Sequence, residues 1–218
     1  MKVFLLFISI TYLILPNLYA QIKIIDKPII WDDKRKNLSL AYLKQRHLLN
    51  LDSPYINPKI IVVHHTVIPT LAGTMRAFMQ PELPNAREAI KGASQLNVSS
   101  QFVIDQDGTI YRLLPETAFA RHVIGLNYCA IGIENVGGTE AVPLTKSQLK
   151  SNIKLIKYLA EKYAIEYLIG HYEYTKFSNS VIWKEVDENY RTKKNDPSEA
   201  FMANIRKKVR KLGLKNQP

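Results

Sequence analysis

Short apolar runs rich in β-branched residues alternate along the chain with longer segments of helical period. Such runs predict strands, which lie at INPKIIVV (56–63), CAIGIENV (129–136) and IEYLIG (165–170). Two further runs, FVID (102–105) and TIYRLL (109–114), flank an Asp-Gly pair. Asp-Gly between two such runs is typical of a tight turn, so this pair predicts a β-hairpin.

The clearest helix is predicted at PLTKSQLKSNIKLIKYLAEKYA, where Thr145 and Gln148 have the spacing of a capping box. A second helix is predicted at LSLAYLKQRHLL (38–49), with its cap near Asn37, and a last one from about Ser198 to a stop at Gly213. Two shorter helices are predicted at AGTMRAFMQ (72–80) and NAREAIKGASQ (85–95).

This alternation of strands and helices predicts an α/β fold, with a central mixed β-sheet flanked by helices on both faces of a single domain. The main domain is expected over residues 58–213, with an N-terminal extension at 21–57 and a short tail at 214–218. The pattern leaves open whether the extension packs on the domain or forms an arm.

The first 20 residues are typical of a secretory signal peptide. Lys2 precedes the apolar run VFLLFISITYLIL, and Ala20 offers a small residue for cleavage. The alternative is an uncleaved membrane anchor, but the run is short and Pro16 interrupts it. We therefore expect an exported protein, periplasmic or secreted and associated with the cell wall, without stable membrane insertion after cleavage.

The chain is basic, with 30 Lys and Arg against 19 Asp and Glu and a net charge of +11. A basic exported protein favours an anionic surface or substrate, and no segment resembles a nucleic-acid-binding motif. Its one cysteine, Cys129, excludes an intrachain disulfide and, in the apolar stretch CAIGI, is expected to be a buried structural thiol.

The candidate chemistry begins with five histidines, of which two end an apolar strand and one ends another. His64 and His65 are adjacent, so an extended backbone directs them to opposite faces. His171 follows LIG. The ends of strands in α/β sheets are where sites are built, although a single histidine there is more often structural.

Carboxylates and a lysine complete the candidate set. In KNDP, an extended backbone before the proline would place Lys194 and Asp196 on one face; the alternative is a surface pair beside a helix start. Glu134 interrupts the apolar strand AIGIENV, which is costly unless the position is polar or at a sheet edge. Two His and one Asp are a familiar set of protein ligands for a catalytic zinc ion, whose fourth position stays open for water.

Five segments in order, IVVHHT, QFVIDQDGTIYRLLPETAFARHV, NYCAIGIENVGG, IGHYEY and KNDP, resemble the type 2 N-acetylmuramoyl-L-alanine amidases. That family includes bacterial and phage amidases and animal peptidoglycan recognition proteins. The resemblance covers roughly residues 58 to 212. It implies a monomeric Zn²⁺ enzyme that cleaves the amide between N-acetylmuramic acid and L-alanine in peptidoglycan or muropeptides.

The resemblance also implies roles for individual residues. His64, His171 and Asp196 match the zinc ligands, so His65 is expected to be structural. Glu134 matches the glutamate proposed to activate or orient water, and Lys194 matches the lysine that stabilises the tetrahedral intermediate. The resemblance further places two residues in the substrate groove: His122 and Asn127.

The sequence departs from the family pattern in two places. Ser100 stands where some relatives carry an aromatic site residue, and the segment between His171 and Lys194 is longer than in many relatives. Two alternatives remain at this point: a recognition protein that binds peptidoglycan without cutting it, and an exported zinc peptidase that cuts within the stem peptide.

Overall fold

The computed structural model describes residues 22–84 and 92–218, and within them one six-stranded sheet. The predicted signal peptide and most of the helix predicted at 85–95 lie outside the described residues. The strands are β1 (Ile24–Asp26), β2 (Ile60–His65), β3 (Phe102–Ile104), β4 (Ile110–Arg112), β5 (Ala130–Asn135) and β6 (Tyr167–Gly170).

The sheet is mixed, in the order β1-β4-β3-β5-β2-β6, which confirms the predicted fold class. The predicted hairpin is present, since β3 and β4 pair antiparallel around the turn at Gly108, whose φ is +90°. All other neighbouring strands are parallel. The carboxyl ends of β2, β5 and β6 therefore meet at one edge.

The helices of the described residues are α1 (Asp33–His47), α2 (Leu71–Met79), α3 (Lys146–Lys162) and α4 (Glu199–Val209). The predicted capping box at Thr145 and Gln148 is present, and Ser198 caps α4 as expected. The predicted start of α1 near Asn37 was wrong. Asp32 caps this helix instead, its carboxylate accepting the Arg35 N–H at 2.9 Å.

The earlier start of α1 has a tertiary cause. Arg35 is buried, and its guanidinium donates hydrogen bonds to the carbonyls at the end of α2. The helix was predicted from its apolar residues, and its first turn is polar, so the pattern did not include that turn. A buried arginine that donates to main-chain carbonyls through Nη2 needs a second helix, which local sequence does not show.

The side chains of β2 alternate between two buried faces. Ile61 and Val63 pack in one core cluster with residues of α3 and α4, whereas Ile60 and Val62 pack in another with the loop around Val123. Helix α2 packs on the sheet face that carries Val103. Val103 lies opposite Glu134 in the β3–β5 register, so Glu134 belongs to the same face. Helices thus lie on both faces of the sheet, as predicted.

Residues 22–57 pack on the rest of the chain. β1 extends the sheet by pairing with β4, and α1 buries Tyr42 and Leu43 in the core. At the end of α1, Arg46 forms an ion pair with Glu185, whose side chain is fully buried. The extension therefore contacts the long segment between His171 and Lys194.

No helix within the described part of the chain is both long and apolar enough to cross a membrane. Cys129 is buried and free, as expected, and burial raises the pKa of its thiol to about 12. A thiol of this kind is unreactive at neutral pH.

Candidate functional site

Three of the predicted residues converge at the carboxyl edge of the sheet. His64, His171 and Asp196 each present one ligand atom, and these atoms lie within 4.8 Å of one another. They line a cavity of about 380 Å³ that also contains Glu134 and Lys194. All five residues proposed to bind metal or to catalyse therefore share one cavity.

The parallel pairing of β2 with β5 aligns two of these side chains. His64 lies opposite Glu134 in the register, and both belong to the sheet face that α2 covers. Because alternate residues share a face, the His65 ring is directed to the other side and packs against Gly138, although His65 also contributes to the lining of the cavity. Gly138 has a φ of +93°, and a Cβ there would overlap the His65 ring.

His171 begins a 3₁₀ segment (His171–Phe177) directly after β6, next to the end of β2. The buried carboxylate of Glu173 holds this turn by accepting the Gly170 N–H at 2.9 Å, and it also pairs with Arg206. The residue after His171 then holds the distant Asp196 in place, because the Tyr172 N–H donates to the Asp196 carbonyl at 3.0 Å.

The two histidines face one carboxylate oxygen. Asp196 Oδ2 lies 3.1 Å from His171 Nδ1 and 3.3 Å from His64 Nδ1. Burial raises the pKa of Asp196, but the neighbouring imidazoles of His171 and His64 lower it more, so the net shift is strongly downward. Burial and the neighbouring His64 lower the pKa of His171 to about 4. Asp196 is thus ionised and His171 neutral at pH 7, the states that ligate metals.

Lys194 is half-buried, as is Asp196, while Asn195 between them is exposed. This alternation agrees with the extended geometry predicted for KNDP and directs the two functional side chains to one face. Ser100, at the position where some relatives carry an aromatic residue, is buried and donates to the Phe102 carbonyl. Its hydroxyl is thereby used within the fold.

His122 and Asn127 belong to the loop before β5. His122 lines the cavity, and its Nδ1 lies 3.0 Å from His64 Nε2. Asn127 is buried, and its Oδ1 accepts the N–H groups of His122 and Val123 at 2.8 Å. Asn127 therefore holds the loop in place; a role in substrate binding stays a prediction for both residues.

Sequence reasoning missed several residues that shape the cavity. Arg121 lines it and donates to the Leu96 carbonyl. Val67 lines its rim, exposed and with a φ of +52°, unusual for a β-branched residue. Neither residue could be found from the local sequence. Arg121 is typical of a surface arginine beside His122, and the sequence does not show the backbone φ of Val67.

The long segment between His171 and Lys194 lies beside the loop that carries His122. Trp183 stacks on Tyr174 and is covered by Arg191, while the Tyr190 hydroxyl accepts from Arg121. The Tyr174 hydroxyl bonds to both main-chain groups of Thr192. These contacts anchor the segment and so position the chain that follows it into the site.

The three convergent side chains suit a zinc ion. Two imidazole nitrogens and one carboxylate oxygen are a common catalytic zinc set, and the open side of the cavity leaves room for a fourth ligand. The close approach of a carboxylate oxygen to two imidazole nitrogens in a buried setting also favours a cation between them. The ligand set predicted from the sequence is therefore compatible with Zn²⁺.

Comparison with known families agrees with this geometry. The model of the family described as N-acetylmuramoyl-L-alanine amidase matches residues 54–199. This range contains all of the residues that converge on the cavity. No curated protein sequence gives a significant match.

Solved structures of similar fold include two proteins of Clostridium intestinale URNW. The N-acetylmuramoyl-L-alanine amidase LysC is 25% identical, with 87% of this chain and 99% of that chain covered and a TM-score of 0.51. The endolysin N-acetylmuramoyl-L-alanine amidase LysCS is 25% identical, with 86% and 95% covered and a TM-score of 0.50.

Proposed function

The chain belongs to the N-acetylmuramoyl-L-alanine amidase family, and from this premise we propose that it is a zinc-dependent amidase acting on peptidoglycan or muropeptides. It would hydrolyse the amide between the lactyl group of N-acetylmuramic acid and the L-alanine of the stem peptide. The observation that carries this proposal is the convergence of a complete His-His-Asp set with Glu134 and Lys194 in one cavity.

In this proposal His64, His171 and Asp196 hold the metal. When bound, zinc acts as a Lewis acid and lowers the pKa of a water molecule to about 7. The protein contributes the preorganised ligands and their protonation states. Glu173 holds the turn that carries His171, and the main-chain hydrogen bond from Tyr172 holds Asp196. In this proposal neither contact involves the substrate.

Glu134 and Lys194 would act on protons and charge. Glu134 accepts a proton from the attacking water and can return it to the departing amine of L-alanine. The Lys194 ammonium lines the same cavity and would stabilise the negative charge that develops on the carbonyl oxygen, without binding the metal. A general base and an oxyanion partner in one cavity are groups that assist amide hydrolysis.

The product identifies the reaction. We expect the mature protein with zinc to release stem peptides that begin with a free L-alanine amine and to leave the glycan strands intact. Mass spectrometry of digested peptidoglycan checks this. New reducing sugar ends or cuts within the peptide would contradict the proposal, and binding of the polymer without any release would assign the protein to recognition instead.

A substrate in the cell wall also agrees with the predicted export of this protein. Peptidoglycan lies outside the cytoplasmic membrane, so we propose that the chain acts in the periplasm or in the wall. The basic charge supports this location, since the wall is anionic.

A further inference from the structure

Most of the net positive charge of the chain lies on α3, on α4 and on the turn that follows α4. Residues 146–162 and 199–212 contain ten basic and two acidic residues, a net +8 of the total +11. Two of the ten bases are neutralised by buried carboxylates: Lys162 pairs with Glu116, and Arg206 pairs with Glu173.

The other eight bases are exposed, and the described residues place no carboxylate in ion-pair contact with them. We call them the basic helical face: Lys146, Lys150, Lys154, Lys157, Lys207, Lys208, Arg210 and Lys211. The four on α3 recur at every third or fourth position and so form one row. Like charges in such a row repel each other, which an anionic partner would relieve.

The basic helical face begins beside the catalytic edge. Helices α3 and α4 pack together, and their first turns line a second cavity of about 610 Å³. Lys146 lines this cavity, and so does Asn195, the residue between Lys194 and Asp196. From Lys146 to Lys157 the row then extends about 16 Å along α3.

We propose that the basic helical face binds the carboxylates of polymeric peptidoglycan, so that the protein acts on the assembled wall as well as on soluble fragments. This proposal rests on the proposed amidase function. A polymer has many stem-peptide carboxylates spaced along it, and a row of lysines that starts at the catalytic edge can bind several at once. A single soluble muropeptide has few carboxylates, so the row of lysines would contribute little to its binding.

Binding to insoluble peptidoglycan tests the proposal. The face variant replaces Lys146, Lys150, Lys154 and Lys157 with glutamine. The control variant makes the same change at four exposed lysines outside this face: Lys23, Lys27, Lys34 and Lys44. Both variants lose the same formal charge, and the control also removes the exposed ion pair of Lys34 with Glu82. The position of the lost charge is therefore the main difference between them. Peptidoglycan freed of covalently attached polymers is the probe, and co-sedimentation in the cold measures binding.

We expect the wild type and the control variant to sediment at low salt and to be released as salt screens the interaction, with a Debye length of about 8 Å at about 0.15 M. The face variant should sediment poorly at low salt and digest the insoluble polymer more slowly. Its kcat/KM on a soluble muropeptide should equal that of the wild type. If the wild type cleaved no muropeptide, the proposed function would fail while the sedimentation result stayed interpretable.

Two results would overturn this assignment. Equal losses of binding in the face and control variants would show that only the net charge matters. Retention of the wild type on vesicles containing phosphatidylglycerol, but not on peptidoglycan, would assign the basic helical face to a membrane surface.

A second inference concerns the hydrogen bonds behind His64. His122 Nε2 lies 3.2 Å from the Ala130 carbonyl, which can only accept, so this nitrogen carries the proton. In a neutral ring the other nitrogen, Nδ1, is then an acceptor, and it lies 3.0 Å from His64 Nε2.

We infer that His122 is a positioning residue that sets the tautomer of His64. Because His122 Nδ1 accepts, His64 Nε2 donates, and His64 Nδ1 keeps its lone pair directed at the ligand cluster. Gly132 allows this arrangement, since a Cβ there would approach the His122 ring to 3.0 Å. The ring thus lies directly against β5, between its carbonyl anchor and the metal ligand.

Nitrogen NMR of the zinc-loaded protein tests this inference without an activity assay. We expect His64 to ligate through Nδ1 and to show a slowly exchanging Nε2 proton. His122→Leu removes the acceptor and should speed this exchange and weaken zinc affinity about 10–100-fold, the usual effect of losing such a partner. His122→Gln, which can still accept, should restore part of both, and His65→Gln should change neither.

Ligation of His64 through Nε2 in the wild-type protein would overturn the inference, and this measurement needs no variant. So would a His122→Leu protein that folds and binds zinc as tightly as the wild type. Competition with a chelator of known affinity gives the zinc dissociation constants.

Discussion

Replacing His64 with alanine is expected to abolish zinc binding and amide hydrolysis together. The variant removes one of the two proposed nitrogen ligands and leaves His171 and Asp196 as the remaining candidates to hold the ion. Loss of the metal removes several kcal/mol of transition-state stabilisation, on the order of a 10³-fold or larger loss of rate. Metal analysis of the purified protein and mass spectrometry of the released peptides measure the two effects.

His65→Ala is the matched control, because it removes an imidazole from the adjacent position on the opposite sheet face. We expect this variant to keep its zinc and its turnover on soluble muropeptides, although the packing against Gly138 is lost. If His65→Ala lost the metal while His64→Ala retained it, the assignment of the histidine pair would be reversed.

Alanine at Glu134 or Lys194 should separate metal binding from catalysis. Neither side chain is a proposed ligand, so both variants should fold and retain zinc. Loss of a positioned general base typically costs ~10²–10⁴ in rate, and this range is expected for Glu134→Ala. Loss of an oxyanion donor typically costs ~10²–10³ in kcat, as expected for Lys194→Ala. Single-turnover kinetics with zinc content measured in parallel give these numbers.

The adjacent Lys193 provides the control for Lys194, since its side chain is exposed whereas that of Lys194 is half-buried. Lys193→Ala makes the same change in charge and should have a much smaller effect. Near-normal turnover of zinc-loaded Lys194→Ala would show that another group holds the developing negative charge. Loss of zinc from Glu134→Ala would show that this carboxylate supports the ligands rather than the water.

Local patterns predicted most of the secondary structure, because the signals were steric and short in range. The Asp-Gly turn, the capping box at Thr145 and the stop at Gly213 each depend on a few neighbouring residues, and all three are present. The start of α1 was wrong because it depends on Arg35 meeting the carbonyls at the end of α2. The strand β1 was not predicted, since its three residues are stabilised only by pairing with β4.

The sequence by itself determined which residue types were available and which sheet face each would occupy. His64 and His65 point apart because side chains on an extended backbone alternate, and this property is local to the strand. The resemblance of five ordered segments to an amidase family added the expectation of zinc ligands. None of this shows that the end of β6 lies beside the end of β2, or that a residue 25 positions after His171 returns to it.

Only the tertiary structure determined these contacts, because strand order depends on which apolar surfaces of the whole chain pack against each other. The β2–β5 register puts Glu134 opposite His64, and the main-chain bond from Tyr172 to Asp196 brings Asp196 to the two histidines. The contact of His122 with His64 requires a loop to fold over β5. Burial in this shared cavity lowers the pKa of His171, so its ligand state also follows from the fold and not from the residue type.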